Sequence, residues 1–347
     1  MENKKKLRKI SELGEFGLID HLTKDFNQSK VGLIKGIGDD AAVFETKNKL
    51  SVITTDLLVE GVHFNLIYTP LKHLGYKSVV VNLSDLYSMN AVPQYILVSI
   101  ALSAKFSVEA VEEIYKGIKL ACERFGVVLI GGDTTSSLSG LFINITAIGF
   151  AEKDKVYYRS GAKKNDLICV SGDLGAAYMG LQILEREKEI FLKDSYIKPD
   201  FEGFDYLIER QLKPEPRRDI IHFIEENNIK VNAMIDISDG LSSELLHLCK
   251  NSNLGCRVYS EKIPINPQTE AAADKFRIDA LTAALNGGED YELLFTAPIE
   301  MKEKLEKHND ISIIGYITED IAKVLVTPTG SEIELKAQGW NAMSKND

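Results

Sequence analysis

Residues 107–133, SVEAVEEIYKGIKLACERFGVVLIGGD, predict a helix followed directly by a strand. Ser107 is a typical N-cap, Glu109 favours the first turn, and Gly126 is a typical C-cap. Apolar residues at 108, 111, 114, 115 and 118 recur at helical spacing. The apolar run that begins at Val127 then predicts a strand closed by Asp133. A helix and a strand in direct succession indicate an α/β fold.

The same mixture of elements extends in both directions from this stretch. In the first half, the patterns predict strands over 50–56, 93–102, 127–133 and 141–151 and a helix over 73–89. In the second half, they predict strands over 167–172, 231–237, 291–297 and 311–317 and helices near 176–188, 218–228 and 241–253. Residues 189–206 show no assignable pattern. The polar stretch 152–166 places a domain boundary near residue 155, which gives two α/β (α+β) domains over 1–155 and 156–347.

Composition and charge limit the class of protein. The chain of 347 residues is 44% hydrophobic and 27% charged, and it has no apolar run long enough to span a membrane. A net charge of −10, without a basic block beyond the N-terminal tip, argues against a nucleic-acid partner. The basic start leads into no continuous apolar segment, so we expect no signal peptide and a cytoplasmic location.

The four cysteines carry no metal signature. Cys122, Cys169, Cys249 and Cys256 form no CxxC pair, and the closest two lie seven residues apart with no neighbouring histidine cluster. Buried free thiols are therefore expected.

Carboxylates recur where apolar runs meet Gly, Ser or Thr. The six places are Asp56, Asp85, Asp133, Asp236, Asp239 and the pair Glu289 and Asp290. Any one of them could simply cap a helix or close a turn. Ends of buried strands are also where α/β proteins build binding sites, and converging carboxylates repel one another unless cations neutralise them. The repeated pattern therefore predicts a metal site.

The neighbouring residue types indicate the metal. Carboxylates accompanied by Ser and Thr hydroxyls, as in TTD (54–56) and ISD (237–239), suit a hard cation such as Mg²⁺. Because Mg²⁺ is usually shared with substrate phosphates, the cluster predicts a nucleoside triphosphate or another polyphosphate. The adjacent Asp39 and Asp40 in GIGDDAAVFE (36–45) fit the same interpretation. The chain has no P-loop and no protein-kinase HRD or DFG motif, so phosphoryl transfer would use another scaffold.

Eight motifs in order resemble one family, the thiamine-monophosphate kinases. They are GEFGLI, GIGDDAAV, TTDLLVEGVHF, NLSDLYSMNA, IGGDTT, RSGAKKND, IDISDGLSSEL and GGEDYELLFT. The resemblance covers about residues 11 to 340. It implies the two-domain fold of the aminoimidazole ribonucleotide synthetase superfamily, with an N-terminal mixed-sheet domain that dimerises and a C-terminal α/β domain.

The resemblance also implies an activity. ATP would phosphorylate thiamine monophosphate to thiamine diphosphate by direct in-line transfer assisted by several Mg²⁺ ions, in a homodimer with ATP between the two halves of the chain. No catalytic residue is expected beyond the carboxylates that bind metal, because the acceptor is already an anionic phosphate oxygen and needs no general base.

The resemblance also implies which residues of this chain occupy the binding positions of the family. The implied metal ligands are Asp40, Thr54, Thr55, Asp56, Asp85, Asp133, Asp236 and Asp239. The implied ATP contacts are Gly132, Asp133, Arg159 and Ser238, and the implied substrate contacts are His63, Glu289 and Trp340. Two positions depart from the family pattern: Thr54, where serine is frequent, keeps a hydroxyl, and Trp340, where tyrosine is common, keeps an aromatic ring that can stack on a cationic ring.

Plainer interpretations exist for several of these residues. By residue type alone, His63 is an ordinary half-buried histidine, Arg159 a solvated linker charge and Trp340 a packing residue. Arg217 and Arg218 in KPEPRRD stand at a helix start and resemble a phosphate clamp, but a structural, proline-bounded turn is the favoured interpretation.

Two alternative functions stay open. One is a sibling ATP-using synthetase of the same superfamily, although no Cys precedes Cys122 to match the reactive residue of selenophosphate synthetase. The other is a non-catalytic nucleotide and Mg²⁺ sensor.

Overall fold

A six-stranded mixed sheet forms the first half of the protein. The computed structural model describes residues 32–46 and 48–337. The strands of this sheet are β1 (Leu33–Lys35), β2 (Ala42–Glu45), β3 (Leu50–Val59), β4 (Val92–Leu102), β5 (Val128–Ser136) and β6 (Phe142–Ala151). They are arranged in the order β1-β2-β3-β6-β4-β5, and only β4 and β5 run parallel. β5 is thus an edge strand of the sheet.

Two long helices cover one face of this sheet, α1 (Leu71–Ser88) and α2 (Val108–Phe125). The predicted caps of α2 are confirmed: the Ser107 hydroxyl accepts a hydrogen bond from the Ala110 amide, and Gly126 ends the helix at a φ of 69°. The backbones of α1 and α2 come very close to each other. A Cβ at Gly75 would lie only 1.9 Å from the Ile114 carbonyl oxygen. A Cβ at Gly117 would lie 1.9 Å from the Lys72 carbonyl oxygen, so each helix needs a glycine at the contact.

A seven-stranded mixed sheet organises the second half. Its strands are β7 (Leu167–Ser171), β8 (Ala233–Ile237), β9 (Gly255–Tyr259), β10 (Glu292–Ala297), β11 (Ile311–Thr318), β12 (Lys323–Val326) and β13 (Glu332–Glu334). They follow the order β13-β12-β9-β11-β7-β10-β8, with β9 and β12 parallel and the other pairs antiparallel. Two mixed sheets with covering helices confirm the predicted α/β (α+β) class.

The helices of the second half are mostly shorter. They are α3 (Ala176–Lys193), α4 (Asp205–Leu212), α5 (Arg218–Glu226), α6 (Leu241–Ser252), α7 (Pro267–Phe276), α8 (Ala280–Asn286) and α9 (Lys302–Leu305), with 3₁₀ turns at Ser260–Lys262 and Ile299–Met301. The stretch that the sequence left unassigned is the end of α3 followed by an irregular segment that leads into α4.

The helix α1 is the central element of the molecule. Almost every side chain from Leu74 to Ser88 is buried. This helix contacts β3, β4 and β6 of the first sheet, and also β8 and α4 from the second half. Side chains of α1 can therefore take part in a site formed by both halves. In the part of the chain that the structure describes, no helix is both long and apolar enough to cross a membrane.

Candidate active site

A cavity of about 660 Å³ lies between the two halves of the protein. This volume suits a drug-sized or nucleotide-sized ligand. The first half contributes Asp40, residues 54–58, residues 61–65, Tyr68, Val81 and Asp85. The second half contributes residues of α3, the end of α4, β8 and the loop after it, and the loop before β10. The connecting segment adds Arg159.

Three carboxylates from separate elements meet at this cavity. Asp40 precedes β2, Asp85 lies on α1 and Asp236 lies in β8. One oxygen atom from each lies within 4.8 Å of the others, and all three residues line the cavity. Oxygen ligands at this spacing fit a shared hard cation such as Mg²⁺. These three acidic residues therefore come together, as the sequence pattern predicts.

Each of the three carboxylates accepts a hydrogen bond from a hydroxyl group. The donors are Thr54 to Asp85 at 2.5 Å, Ser84 to Asp236 at 2.6 Å and Ser88 to Asp40 at 2.7 Å. No role was predicted from the sequence for Ser84 or Ser88. Their positions on either side of Asp85, one turn apart on α1, place them on the same side of the helix and could have indicated this role.

Burial raises the pKa of all three carboxyl groups. The pKa of Asp40 is raised to about 7, with Asp236 and Asp39 adding repulsion, and that of Asp236 is raised to about 6. The pKa of Asp85 is raised well above its ordinary value by burial and by the nearby Asp56. Clustered carboxyl groups held this way resist ionisation until a cation neutralises them. The donor set, carboxylates supported by hydroxyls, therefore fits Mg²⁺.

Arg159 is the cationic side chain beside the cluster. Its Nε donates to Asp40 Oδ1 at 2.6 Å, and a second guanidinium nitrogen pairs with the same oxygen. The pairing opposes the effect of burial on the pKa of Asp40. Asp39 does not line the cavity; it accepts a hydrogen bond from the Arg159 amide and pairs with Lys35 at 3.3 Å. Asp39 is thereby placed behind the cluster.

Most other predicted site residues also line the cavity. These are Thr54, Thr55, Asp56, His63, Ser238, Asp239 and Glu289. Asp56 lies inside β3 and not at its end, because the strand continues to Val59. The expectation that these carboxylates end buried strands is therefore wrong for Asp56.

Gly132 and Asp133 are not among the residues that line the cavity. They lie within β5, whose residues are exposed along its whole length, so the expected buried strand end is wrong here too. A Cβ at Gly132 would lie 1.8 Å from the Val98 carbonyl oxygen, so this glycine is needed for the pairing of β4 and β5. Trp340 lies outside the described residues.

His63 and Glu289, which both line the cavity, are fixed by hydrogen bonds. The Val59 amide donates to His63 Nδ1 at 2.9 Å, so the neutral ring carries its proton on Nε2. Burial lowers the pKa of His63, which favours the same neutral form. Glu289 pairs with Lys77 at 3.1 Å and accepts a hydrogen bond from the Gln211 amide at 2.6 Å.

Comparison with known proteins identifies the family. The chain matches the family models for AIR synthase related proteins, the N-terminal domain over residues 38–151 and the C-terminal domain over 163–326. It is 36% identical to the thiamine-monophosphate kinase of Aquifex aeolicus, over 96% of this chain and 99% of that protein. The chain belongs to the thiamine-monophosphate kinase family.

Further relatives match over nearly the whole chain. The kinase of Buchnera aphidicola subsp. Schizaphis graminum is 40% identical, over 95% of this chain and 99% of that protein. A solved structure of AaThiL complexed with AMPPCP and TMP superposes with a TM-score of 0.81 at 34% identity, covering 96% of this chain and 98% of the other. The two-domain fold that the sequence motifs implied is thus confirmed.

Proposed function

We propose that this protein transfers the γ-phosphate of ATP to thiamine monophosphate and forms thiamine diphosphate and ADP. The observation that carries the proposal is the meeting of Asp40, Asp85 and Asp236, from both halves of the chain, in one cavity. Phosphoryl transfer between two anions needs charge neutralisation and positioning more than covalent chemistry from the protein. The relatives named above as thiamine-monophosphate kinases support this choice of acceptor.

Several Mg²⁺ ions would be held by the carboxylate end of the cavity. The proposed ligands are Asp40, Thr54, Thr55, Asp56, Asp85, Asp133, Asp236 and Asp239. Bound there, Mg²⁺ supplies the positive charge that lets two polyanionic substrates approach each other. The hydroxyl groups of Thr54, Ser84 and Ser88 orient the carboxylates before any cation arrives.

The remaining side chains bind and orient the substrates. Arg159 and Ser238 are proposed to contact ATP, and His63, Glu289 and Trp340 the thiamine moiety. The neutral His63 presents its Nε2–H as a hydrogen-bond donor. No general base is assigned, because the attacking phosphate oxygen is already ionised and attacks the γ-phosphorus in line.

The active form is proposed to be a homodimer joined through the N-terminal domains, residues 1–155. Asp56 lies opposite Ile145, Ile145 opposite Val98, and Val98 opposite Gly132. Three strand spacings, roughly 14 Å, therefore separate Asp56 from Gly132 and the adjacent Asp133. Since one chain does not bring Asp133 to the cavity, a second copy would have to supply Gly132 and Asp133. Residues 156–347 are proposed as the C-terminal domain that completes the site.

The cytoplasm is the proposed location. All four cysteines of the described chain are free thiols, which fits a reducing compartment.

The first experiment combines purified protein with Mg-ATP and thiamine monophosphate and quantifies thiamine diphosphate and ADP by chromatography. We expect equimolar products from the native protein and from D154N, which alters an exposed carboxylate that is not among the residues lining the cavity. D85N is expected to lose activity by at least about 100-fold. Free thiamine, which lacks the phosphate that receives the γ-phosphoryl group, should not be converted to thiamine diphosphate.

Other outcomes would redirect the assignment. ADP without thiamine diphosphate would indicate a sibling synthetase, and nucleotide binding without turnover would indicate a sensor.

A further inference from the structure

A lysine is buried behind the substrate end of the cavity. Lys77 lies on α1 with only 3% of its side chain exposed, and it is not among the residues that line the cavity. Its ammonium group donates to the Gln211 carbonyl oxygen at 2.9 Å and pairs with Glu289 Oε1 at 3.1 Å. Lysine is rarely buried without such partners, because its charge is costly to remove from water. The first-half helix thus places a fixed cation against Glu289.

The second oxygen of Glu289 is held from another element. Gln211, at the end of α4, donates from Nε2 to Glu289 Oε2 at 2.6 Å. The Glu289 backbone is fixed as well, since its amide donates to the Ser238 carbonyl oxygen at 2.7 Å and its φ is +58°. Such a conformation costs free energy for a residue other than glycine and persists only where the surroundings enforce it. Glu289 is therefore held rigidly at its backbone and at both carboxylate oxygens.

One side of this carboxylate still faces the cavity. The Glu289 side chain is 26% exposed and lines the cavity, whereas Lys77 is enclosed on the protein side. A carboxylate fixed in one orientation loses less conformational freedom on binding a cation than a mobile one does. The buried lysine compensates the charge of Glu289 in the absence of ligand without occupying the face that a ligand would contact.

We propose that Lys77 and Gln211 are positioning residues that orient Glu289 to contact the cationic part of the phosphate acceptor. The inference rests on the proposed function, in which that acceptor is thiamine monophosphate with its permanently charged thiazolium ring. Lys77 touches no substrate in this scheme and acts only through Glu289. Its removal should weaken acceptor binding and leave the carboxylate cluster and ATP binding unchanged.

If Lys77 only stabilised the fold, its replacement would lower the Tm without a specific effect on KM, and a neighbouring residue provides the control for this case. The neighbouring Tyr76 also joins the two halves: its hydroxyl lies 2.9 Å from both carboxylate oxygens of Glu215, and it makes no hydrogen bond to Glu289. Y76F therefore removes a hydrogen bond between the halves from the adjacent position of the same helix. It serves as the matched control for K77M.

The test measures kcat and the KM values for thiamine monophosphate and ATP on the full chain. K77M is expected to raise the KM for thiamine monophosphate about tenfold, because Glu289 loses the charge-assisted contact that helps to orient it, with kcat and the KM for ATP within about twofold. K77R should recover part of the loss. Y76F should lower the Tm without changing either KM.

A double variant tests whether the effect of Lys77 on KM depends on Glu289. If Lys77 acts only through Glu289, the double variant K77M/E289Q should have the same KM for thiamine monophosphate as E289Q alone. Should K77M not fold, Q211L tests the other contact with the same expected rise in KM. Because Gln211 itself lines the cavity, the double variant Q211L/E289Q must then also match E289Q alone. An unchanged KM in K77M or Q211L, or additive effects in the double variant, would overturn this inference and leave the proposed function intact. A native protein that forms no thiamine diphosphate would overturn the proposed function, and this inference with it.

Discussion

At the scale of single residues, Asp85 is needed for the proposed activity but lowers the stability of the metal-free protein. It is enclosed near Asp56, Asp236 and Asp40, and burial and repulsion both raise its pKa. Asn in its place keeps the shape and removes the cost of either ionising this buried carboxyl group or keeping it protonated at neutral pH. Without metal, D85N should therefore be more stable than the native protein by roughly 1 kcal/mol, as is common at functional sites. Thermal unfolding in EDTA should show a Tm higher by about 2 °C, while activity is lost.

The matching control is D154N, which should leave the Tm in EDTA unchanged. A Tm for D85N below that of the native protein would contradict the idea that the carboxylates repel one another.

The raised pKa values of Asp40, about 7, and Asp236, about 6, make metal binding depend on pH. Mg²⁺ needs ionised carboxylates, so protons compete with it and its affinity should fall as the pH falls from 8 to 6. Calorimetry in buffers of different ionisation enthalpy should detect the released protons. An affinity independent of pH in this range would contradict the prediction.

The raised pKa values of Asp40 and Asp236 also determine how the stability of the metal-free protein changes with pH. Because the folded pKa values lie above the unfolded values, the native state binds more protons, and this stabilisation is present at low pH. This stabilisation is complete below about pH 4, near the unfolded pKa, and should be lost progressively as the pH rises to the folded pKa values of about 6 and 7.

Single residues differ in how far sequence alone predicts them. Asp40, Asp85 and Asp236 could be predicted because each lies in a motif that joins a carboxylate to turn or hydroxyl residues. Lys77 and Gln211 could not, since a lysine and a glutamine on helices are ordinarily solvent-exposed. Their burial follows from the packing of α1 against the second half, which no local pattern encodes.

At the scale of elements, the contact between α1 and α2 fixes where the site residues of α1 lie. G117A adds a methyl group whose carbon would lie 1.9 Å from the Lys72 carbonyl oxygen, so the helices must separate. We expect a loss of about 3 kcal/mol in the free energy of unfolding. Denaturant unfolding measures it.

G131A provides the comparison for this variant. Its added Cβ would lie 3.9 Å from Leu97, an ordinary contact, and the free energy of unfolding should change little. Equal effects of the two variants would contradict the argument from close approach.

Elements with strong local signals were predicted well. Helix α2 has both caps and an apolar stripe, and its predicted limits match the structure. Strand ends were predicted less well: β3 continues past Asp56 because Leu57 to Val59 still pair with β6. Where a strand leaves its sheet depends on its partner strand, and that information lies far away in the sequence.

At the scale of the whole molecule, the exposed edge of the first sheet bears on the proposed dimer. Val128, Leu129 and Ile130 are 56%, 41% and 53% exposed, and on its outer edge β5 pairs with no strand of the described residues. Such an edge pairs readily with another chain. I130K should therefore give a monomer in sedimentation velocity, and its activity should fall because Asp133 of the second copy is lost from the cavity.

L192K alters a similarly exposed residue of α3, 63% exposed, and should change neither property. A native protein that is monomeric and fully active would contradict the dimer proposal.

The enclosure of α1 between the two halves also determines how the protein opens to solvent. An amide in the middle of this helix can exchange its hydrogen only when contacts to the first sheet and to β8 are broken together. Its protection should therefore equal that of global unfolding, and strands β3 and β8 should share it. Despite having two sheets, the molecule would then behave as one cooperative unit, with a single set of most slowly exchanging amides that spans both halves.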